Sequence, residues 1–367
     1  MRGRGAGDPA EAAALADRAE TLLCDPRPAV RIGGLAALAR LADVSPPHRA
    51  AAIGVLTAYL REPYDPEDHP PGERLVRRAA LEVIRERLQD PAAPTTWCGS
   101  DIDLTGATLD GGSLTGIQLT GGSLRLARAR LVSGTLDLTG IRIDGGILSL
   151  ERSTIEGTLR LDNAALFEGH VSLDHAVLAG GTISLEHAHL TGGNVTLAGA
   201  ALGSGLVSLR STEVAGTLVS FHGATLSGAR LDFASSTITS GGCYLTGLMM
   251  TAGEIVFREA EVARTAVSLR MSTLAGGSLD LDGLVPVDGP DPDEAATCFE
   301  GVYVIPPATV AWGPWTDAAG VVLDLRNDEE ALEPVAGDAK PDDAATWSAL
   351  VSTRPDQPAG EPGPDPS

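Results

Sequence analysis

Aromatic residues are scarce in this chain: they make up 4% of its 367 residues, against 43% hydrophobic residues in all. A core of that size with so few rings must be built from Leu, Val, Ile and Ala. Together with 44 glycines, that composition points to internal repetition. Cysteine is equally sparse. Cys24, Cys98, Cys243 and Cys298 are scattered and form no Cys-x-x-Cys pair. This excludes a disulfide framework and a zinc-finger type of site, and it fits a reducing compartment. No apolar run reaches the length of a transmembrane segment, and no apolar core follows the N-terminus as in a signal peptide; a cytoplasmic location is therefore expected. A basic stripe is also lacking. The net charge is −22, so direct nucleic-acid binding is not expected.

The acidity is uneven. Residues 1–97 hold 14 acids and 13 bases, residues 98–287 hold 18 and 11, and residues 288–367 hold 17 and 3. The last stretch is also rich in Pro and Gly. Disorder is expected for the acidic tail at 327–367 and for the first residues, 1–8.

Residues 9–92 read as a helical domain. Amphipathic patterns run over about 10–24, 28–43, 47–61 and 72–89, with Val30, Leu38 and Leu41, then Ile53, Leu56 and Leu60, then Leu81, Ile84 and Leu88 on common faces. Pro28, Pro46-Pro47 and Pro70-Pro71 mark the breaks. The string Val30-Arg31 followed by Leu35, Leu38 and Leu41 resembles a helix of a HEAT-type hairpin.

Residues 93–287 are periodic. Leu104, Leu109, Leu114, Leu119 and Leu124 fall five apart. From Gly121 a unit of 12 takes over, of the form Gly-Gly-x-Val-x-Leu-x-x-Ala-x-Leu-x, as in residues 180–191 and 192–203. The unit at 157–167 is one residue short. Positions four, six, nine and eleven are apolar or small. Pairs two apart are a strand signature, so each unit carries two short strands with two inward residues each. A fixed short period means a parallel β-solenoid. The Gly pair suits a tight corner, because Gly takes positive φ freely. If the Leu-x-x-Ala step turns by about a right angle, two units close one four-sided coil; this is the preferred arrangement. The alternative is a flattened coil of one unit. Residues 288–326 keep apolar strings broken by Pro306-Pro307 and read as an irregular cap, with Trp312 and Trp315 on the last coil and Trp97 on the first.

The motifs Ala107-Thr-Leu109, Ala188-His-Leu190, Ala200-Ala-Leu202 and Ala224-Thr-Leu226 resemble pentapeptide-repeat proteins. The stretch Asp101-Ile-Asp-Leu-Thr-Gly-Ala-Thr-Leu109 after Trp97 is similar to the start of the repeat region in actinobacterial members, and Val30 to Leu38 is similar to their preceding helices. The resemblance covers about residues 28–285. It implies a mixed fold, in which a HEAT-like helical N-terminal domain precedes a right-handed, four-sided parallel β-helix. Some members of that family are acidic dimers that mimic B-form DNA and bind DNA gyrase. The units here carry two extra residues per ten, which disturbs a DNA-like charge spacing.

No residues are assigned to catalysis, to a cofactor or to a metal. His170, His175, His187 and His189 cluster in sequence, with Asp174 and Glu186 beside two of them. His175 and His187 would stack and could hold a divalent cation only if a single unit closed one coil. The acids Asp137, Glu151, Asp174, Glu186, Asp232 and Asp280 alternate with arginines, a mixed-charge surface. The expected function is a non-catalytic scaffold or protein-interaction module with an unidentified protein partner, and a solenoid end offers a face for a homodimer. A DNA-mimicking effector of gyrase is the alternative, and a carbohydrate-active β-helix enzyme is a third reading.

Overall fold

The structure, a computed structural model, describes residues 9–70, 72–263, 266–287, 299–311, 313 and 323–324. The chain opens with four helices: α1 (Pro9–Leu23), α2 (Pro28–Val44), α3 (Arg49–Arg61) and α4 (Glu73–Arg87). Pro28 sits in the first turn of α2, where the missing N–H is no loss. Helix α2 is the centre of the group and packs against the other three. Its buried residues include Leu35, Ala37, Leu38, Ala39 and Leu41, which do not form one stripe, as expected of a surrounded helix. Gly34 lets α1 come close: a Cβ there would lie 2.9 Å from the Leu23 amide nitrogen.

The helices cover the first coil of the solenoid and satisfy its open edge. The Gln118 amide donates to the Leu88 carbonyl at 2.6 Å, and the Thr120 amide to Cys98 at 3.0 Å. Arg77 is buried and donates to the carbonyls of Tyr59, Leu60 and, at 3.3 Å, Thr108 of the solenoid. Its guanidinium lies over the Tyr64 ring. Tyr64 and Arg74 converge on the buried carboxylate of Asp110. Trp97, 1% exposed, is packed beneath the Arg87 guanidinium at this junction, where the sequence placed it.

The solenoid runs for about seven turns. Among the described residues, all strand pairs are parallel, and they form two sheets of 12 and 15 strands. Ala201 pairs with Thr225 and Thr225 with Met249, so one coil is two units long. The pentad-spaced first coil steps from Asp101 to Ser123, two positions fewer, and the short unit gives a step from Thr135 to Thr158, one fewer. Each coil has four sides. Inward side chains come from positions four, six, nine and eleven, and Leu124, Ile183, Val207, Leu197, Ala200 and Leu202 are all buried. Phe233 stacks on Phe257 one coil away, ring centroids 4.5 Å apart.

Two kinds of corner alternate around each coil. At one, a glycine lies against the backbone of the preceding coil; a Cβ on Gly205 would run into the Gly181 carbonyl oxygen. At the other, positions six to nine form a β-turn, as in the Ala129 amide bonded to the Leu126 carbonyl at 3.0 Å, with position eight left-handed. Gly140 and Gly223 occupy this site, but so do Arg128, Arg152, Asn163, His175, His187, Ser211, Ser235, Glu259 and Met271. The sequence pattern foresaw the glycine corner and missed this one.

Residues 299–311, expected within an irregular cap, extend the solenoid instead. Tyr303–Val304 pairs with Thr273–Leu274, and Thr309–Ala311 with Ser278–Asp280, both parallel. Phe299, Val302 and Val304 fill the inward positions, and Gly301 takes the left-handed one. The intervening 288–298, the expected disordered segments 1–8 and 327–367, and the proposed cap residues Trp312 and Trp315 lie outside the described residues. No described helix is long and apolar enough to cross a membrane.

Candidate binding surfaces

The two-unit coil decides the histidine question. His175 and His187 sit one unit apart, at left-handed corners on opposite sides of the coil, so they do not stack. His170 is placed near Thr196, with Nε2 3.5 Å from the hydroxyl, and His189 bonds Glu213 through Nδ1 at 2.9 Å. Among the described residues, no group of three or more His, Cys, Asp or Glu is arranged to hold a metal ion.

The acids are not lined up either. Following the registers, no outward column of the described coils carries acids on three successive rungs. Charges are instead paired along and across coils: Arg210 reaches Asp232 at 3.2 Å, Arg258 reaches Asp280 at 3.2 Å, and Arg230 bridges Asp232 on its own strand and Glu254 on the next coil. Asp232 is buried, and burial by itself would raise its pKa. The Ala234 amide and the guanidiniums of Arg230 and Arg210 outweigh that and hold its carboxyl below the usual range.

One side of the solenoid is free of charge over five coils. Val177, Ala201, Thr225, Met249 and Thr273 form one outward column. Ala179, Gly203, Ser227, Thr251 and Ala275 follow each of them two positions on. Val177 and Met249 are 40% and 39% exposed. At roughly 4.8 Å per rung the strip is about 20 Å long. In a chain with 21% charged residues, this is a flat, neutral, partly apolar surface. Detecting it required the coil length, because its members stand two units apart in sequence.

The helical group holds a second surface, a groove of about 670 Å³ lined by Ala16, Ala19 and Leu23 of α1, Leu38 and Leu41 of α2, and Val55 and Tyr59 of α3. Its polar end is a triad. The Tyr59 hydroxyl donates to Glu73 at 2.7 Å, and Arg31 donates to both. Burial and the bond to Glu73 push the Tyr59 hydroxyl well above the usual phenol pKa.

A third surface is a polar groove of about 540 Å³ lined by Thr105, Ala127, Arg128, Glu151, Arg152, Asp174 and His175. Arg128, Arg152 and His175 belong to one left-handed corner column on successive coils. The register is fixed by the ladder Arg128 N–H to Glu151 carbonyl, 2.7 Å, and Arg152 N–H to Asp174 carbonyl, 2.8 Å.

Comparison of the chain with protein-family models, with curated proteins and with solved structures finds no match in any of the three.

Proposed function

We propose that the chain is a non-catalytic protein-interaction module of the pentapeptide-repeat kind, with a right-handed solenoid as a rigid display surface. The neutral strip from Val177 to Ala275 carries this reading. Depletion of charge is the mark of the buried centre of protein interfaces, whereas ordinary soluble surfaces are studded with charge. The paired arginines and carboxylates on the neighbouring sides supply the polar rim. A parallel solenoid suits the role because each coil contacts only its neighbours, so outward residues vary without disturbing the core.

Mimicry of B-form DNA is supported less. It needs rows of unpaired acids, and the carboxylates of Asp137, Asp232, Glu254 and Asp280 are neutralised by arginines.

The test is affinity capture from a native lysate with three baits: wild type, Ala201→Glu/Thr225→Glu on the strip, and Thr237→Glu on another side. A saturable partner held by wild type and Thr237→Glu but lost by the strip variant supports the reading. Absence of any saturable partner, or equal capture by all three, counts against it.

A further inference from the structure

We propose that the Arg128–Arg152 ladder is a docking site for a doubly charged oxyanion, specifically a phosphate group carried on a partner chain. The proposal rests on the interaction-module reading and names one chemical feature of the partner.

Three unfavourable features coincide at these two arginines. Both have left-handed backbones, φ 58° and 57°, a conformation strained by the Cβ of any residue but glycine. The same column is built with glycine at Gly106, Gly199, Gly223 and Gly247, so the corner does not require a side chain. Secondly, the two stand on adjacent rungs, about 4.8 Å apart at the backbone, and like charges side by side destabilise. Thirdly, they lack carboxylate partners. Arg125, Arg130, Arg142, Arg160, Arg210, Arg230, Arg258 and Arg270 each have a carboxylate within 4 Å. Arg128 and Arg152 have none among the described residues. The left-handed backbone is shared by other corners, from Asn163 to Met271; it is the coincidence with two unpaired like charges that points to a binding role, since strained groups cluster at functional sites.

The chemistry of the groove identifies the ligand. Two guanidiniums on adjacent rungs can bracket one tetrahedral oxyanion with charge-assisted hydrogen bonds, which relieves their mutual repulsion. His175 continues the column and lines the far end of the groove, its ring lying over Gly199 on the next rung. On the acidic wall, Asp174 is occupied, since its Oδ1 accepts the Ala198 amide at 2.8 Å. Glu151 is exposed, and its carboxylate is free to turn toward a ligand. It repels a bare polyanion and can accept an N–H from a peptide backbone. The mixture favours phosphate on a chain over a free polyphosphate.

Isothermal titration calorimetry at low and high salt tests this with two probes, inorganic pyrophosphate and a peptide bearing one phosphoserine. The proteins are wild type, Arg128→Gly/Arg152→Gly, and the control Arg258→Gln/Arg270→Gln with the same change in charge. Glycine is the residue this corner prefers, so the first variant is expected to melt no lower than wild type. The expected result is that wild type and control bind the phosphopeptide more tightly than pyrophosphate, that the glycine variant binds at least tenfold more weakly, and that salt weakens binding. Tighter binding of pyrophosphate would overturn the link to a protein partner. No binding of either probe, or equal binding by the glycine variant, would overturn the anion site itself. Capture of a partner through the neutral strip would be unaffected by that outcome.

Discussion

The two corners of the coil make opposite demands on the sequence. At the glycine corner, the chain passes so close to the preceding coil that a Cβ on Gly205 would collide with a carbonyl oxygen, and φ there is 103°. At the left-handed turn, a Cβ on Gly140 or Gly223 would meet nothing within 4 Å. The first corner is closed sterically. At Gly140 and Gly223 the second corner opens to solvent, and it admits side chains as varied as Arg128, Asn163, Glu259 and Met271 at a modest backbone cost. Variation, and with it the capacity to bind, is therefore concentrated at the second corner and on the flat sides, while the first keeps the coil shut.

The inward rungs serve both corners, so breaking one should produce the largest effect. Leu197 is buried on its rung. Leu197→Asp places an unpaired charge there and is expected to cost about 4 kcal/mol or more, read by denaturant unfolding. A melting temperature like that of wild type would refute the inward assignment of position six.

A matched pair of substitutions tests the corners themselves. Gly205→Ala meets both positive φ and a carbonyl oxygen and should cost about 3 kcal/mol; Gly223→Ala meets only the backbone penalty and should cost about 1 kcal/mol. Equal losses would erase the distinction between the corners.

Cross-coil charge pairing should rank next. Asp232→Asn is expected to cost about 1–2 kcal/mol at pH 7, since it weakens bonds to two partly exposed arginines. The folded-state pKa of Asp232 lies below its unfolded value. Its contribution is thus complete above about pH 4 and disappears as the pH falls through the lower folded value. The gap between wild type and Asp232→Asn should narrow in acid unfolding experiments. A gap that stays constant from pH 7 to the acid transition would show that charge plays no part.

The smallest effect has the opposite sign. Ser235→Gly at a left-handed corner should stabilise by about 0.5 kcal/mol, the backbone relief less the added entropy of an unfolded glycine. A loss of stability would mean that the hydroxyl has a structural task.

What the sequence made legible follows the same division. Apolar residues at positions four, six, nine and eleven are buried because the core leaves them no alternative, and the helices at Pro28–Val44 and Glu73–Arg87 follow from their prolines and apolar spacing. Position eight was illegible: the varied side chains from Arg128 to Met271 conceal a shared left-handed backbone. The extra rung at 303–311 was hidden because the insertion before Phe299 breaks the period. The neutral strip and the arginine ladder were hidden because neighbours on these surfaces stand a full coil apart in sequence and appear only when the coil length is known.

That length can be measured with cysteine pairs. Ser211 and Ser235 occupy one corner column one coil apart, whereas Ser211 and Gly223 occupy opposite corners. Adjacent rungs about 4.8 Å apart lie within disulfide range. In a background with Cys24→Ser and Cys298→Ser, mild oxidation should cross-link Ser211→Cys with Ser235→Cys and leave Ser211→Cys with Gly223→Cys as free thiols. Cross-linking of Ser211→Cys with Gly223→Cys instead would mean a coil half as long, and the strip, the ladder and the two-corner distinction would all be lost.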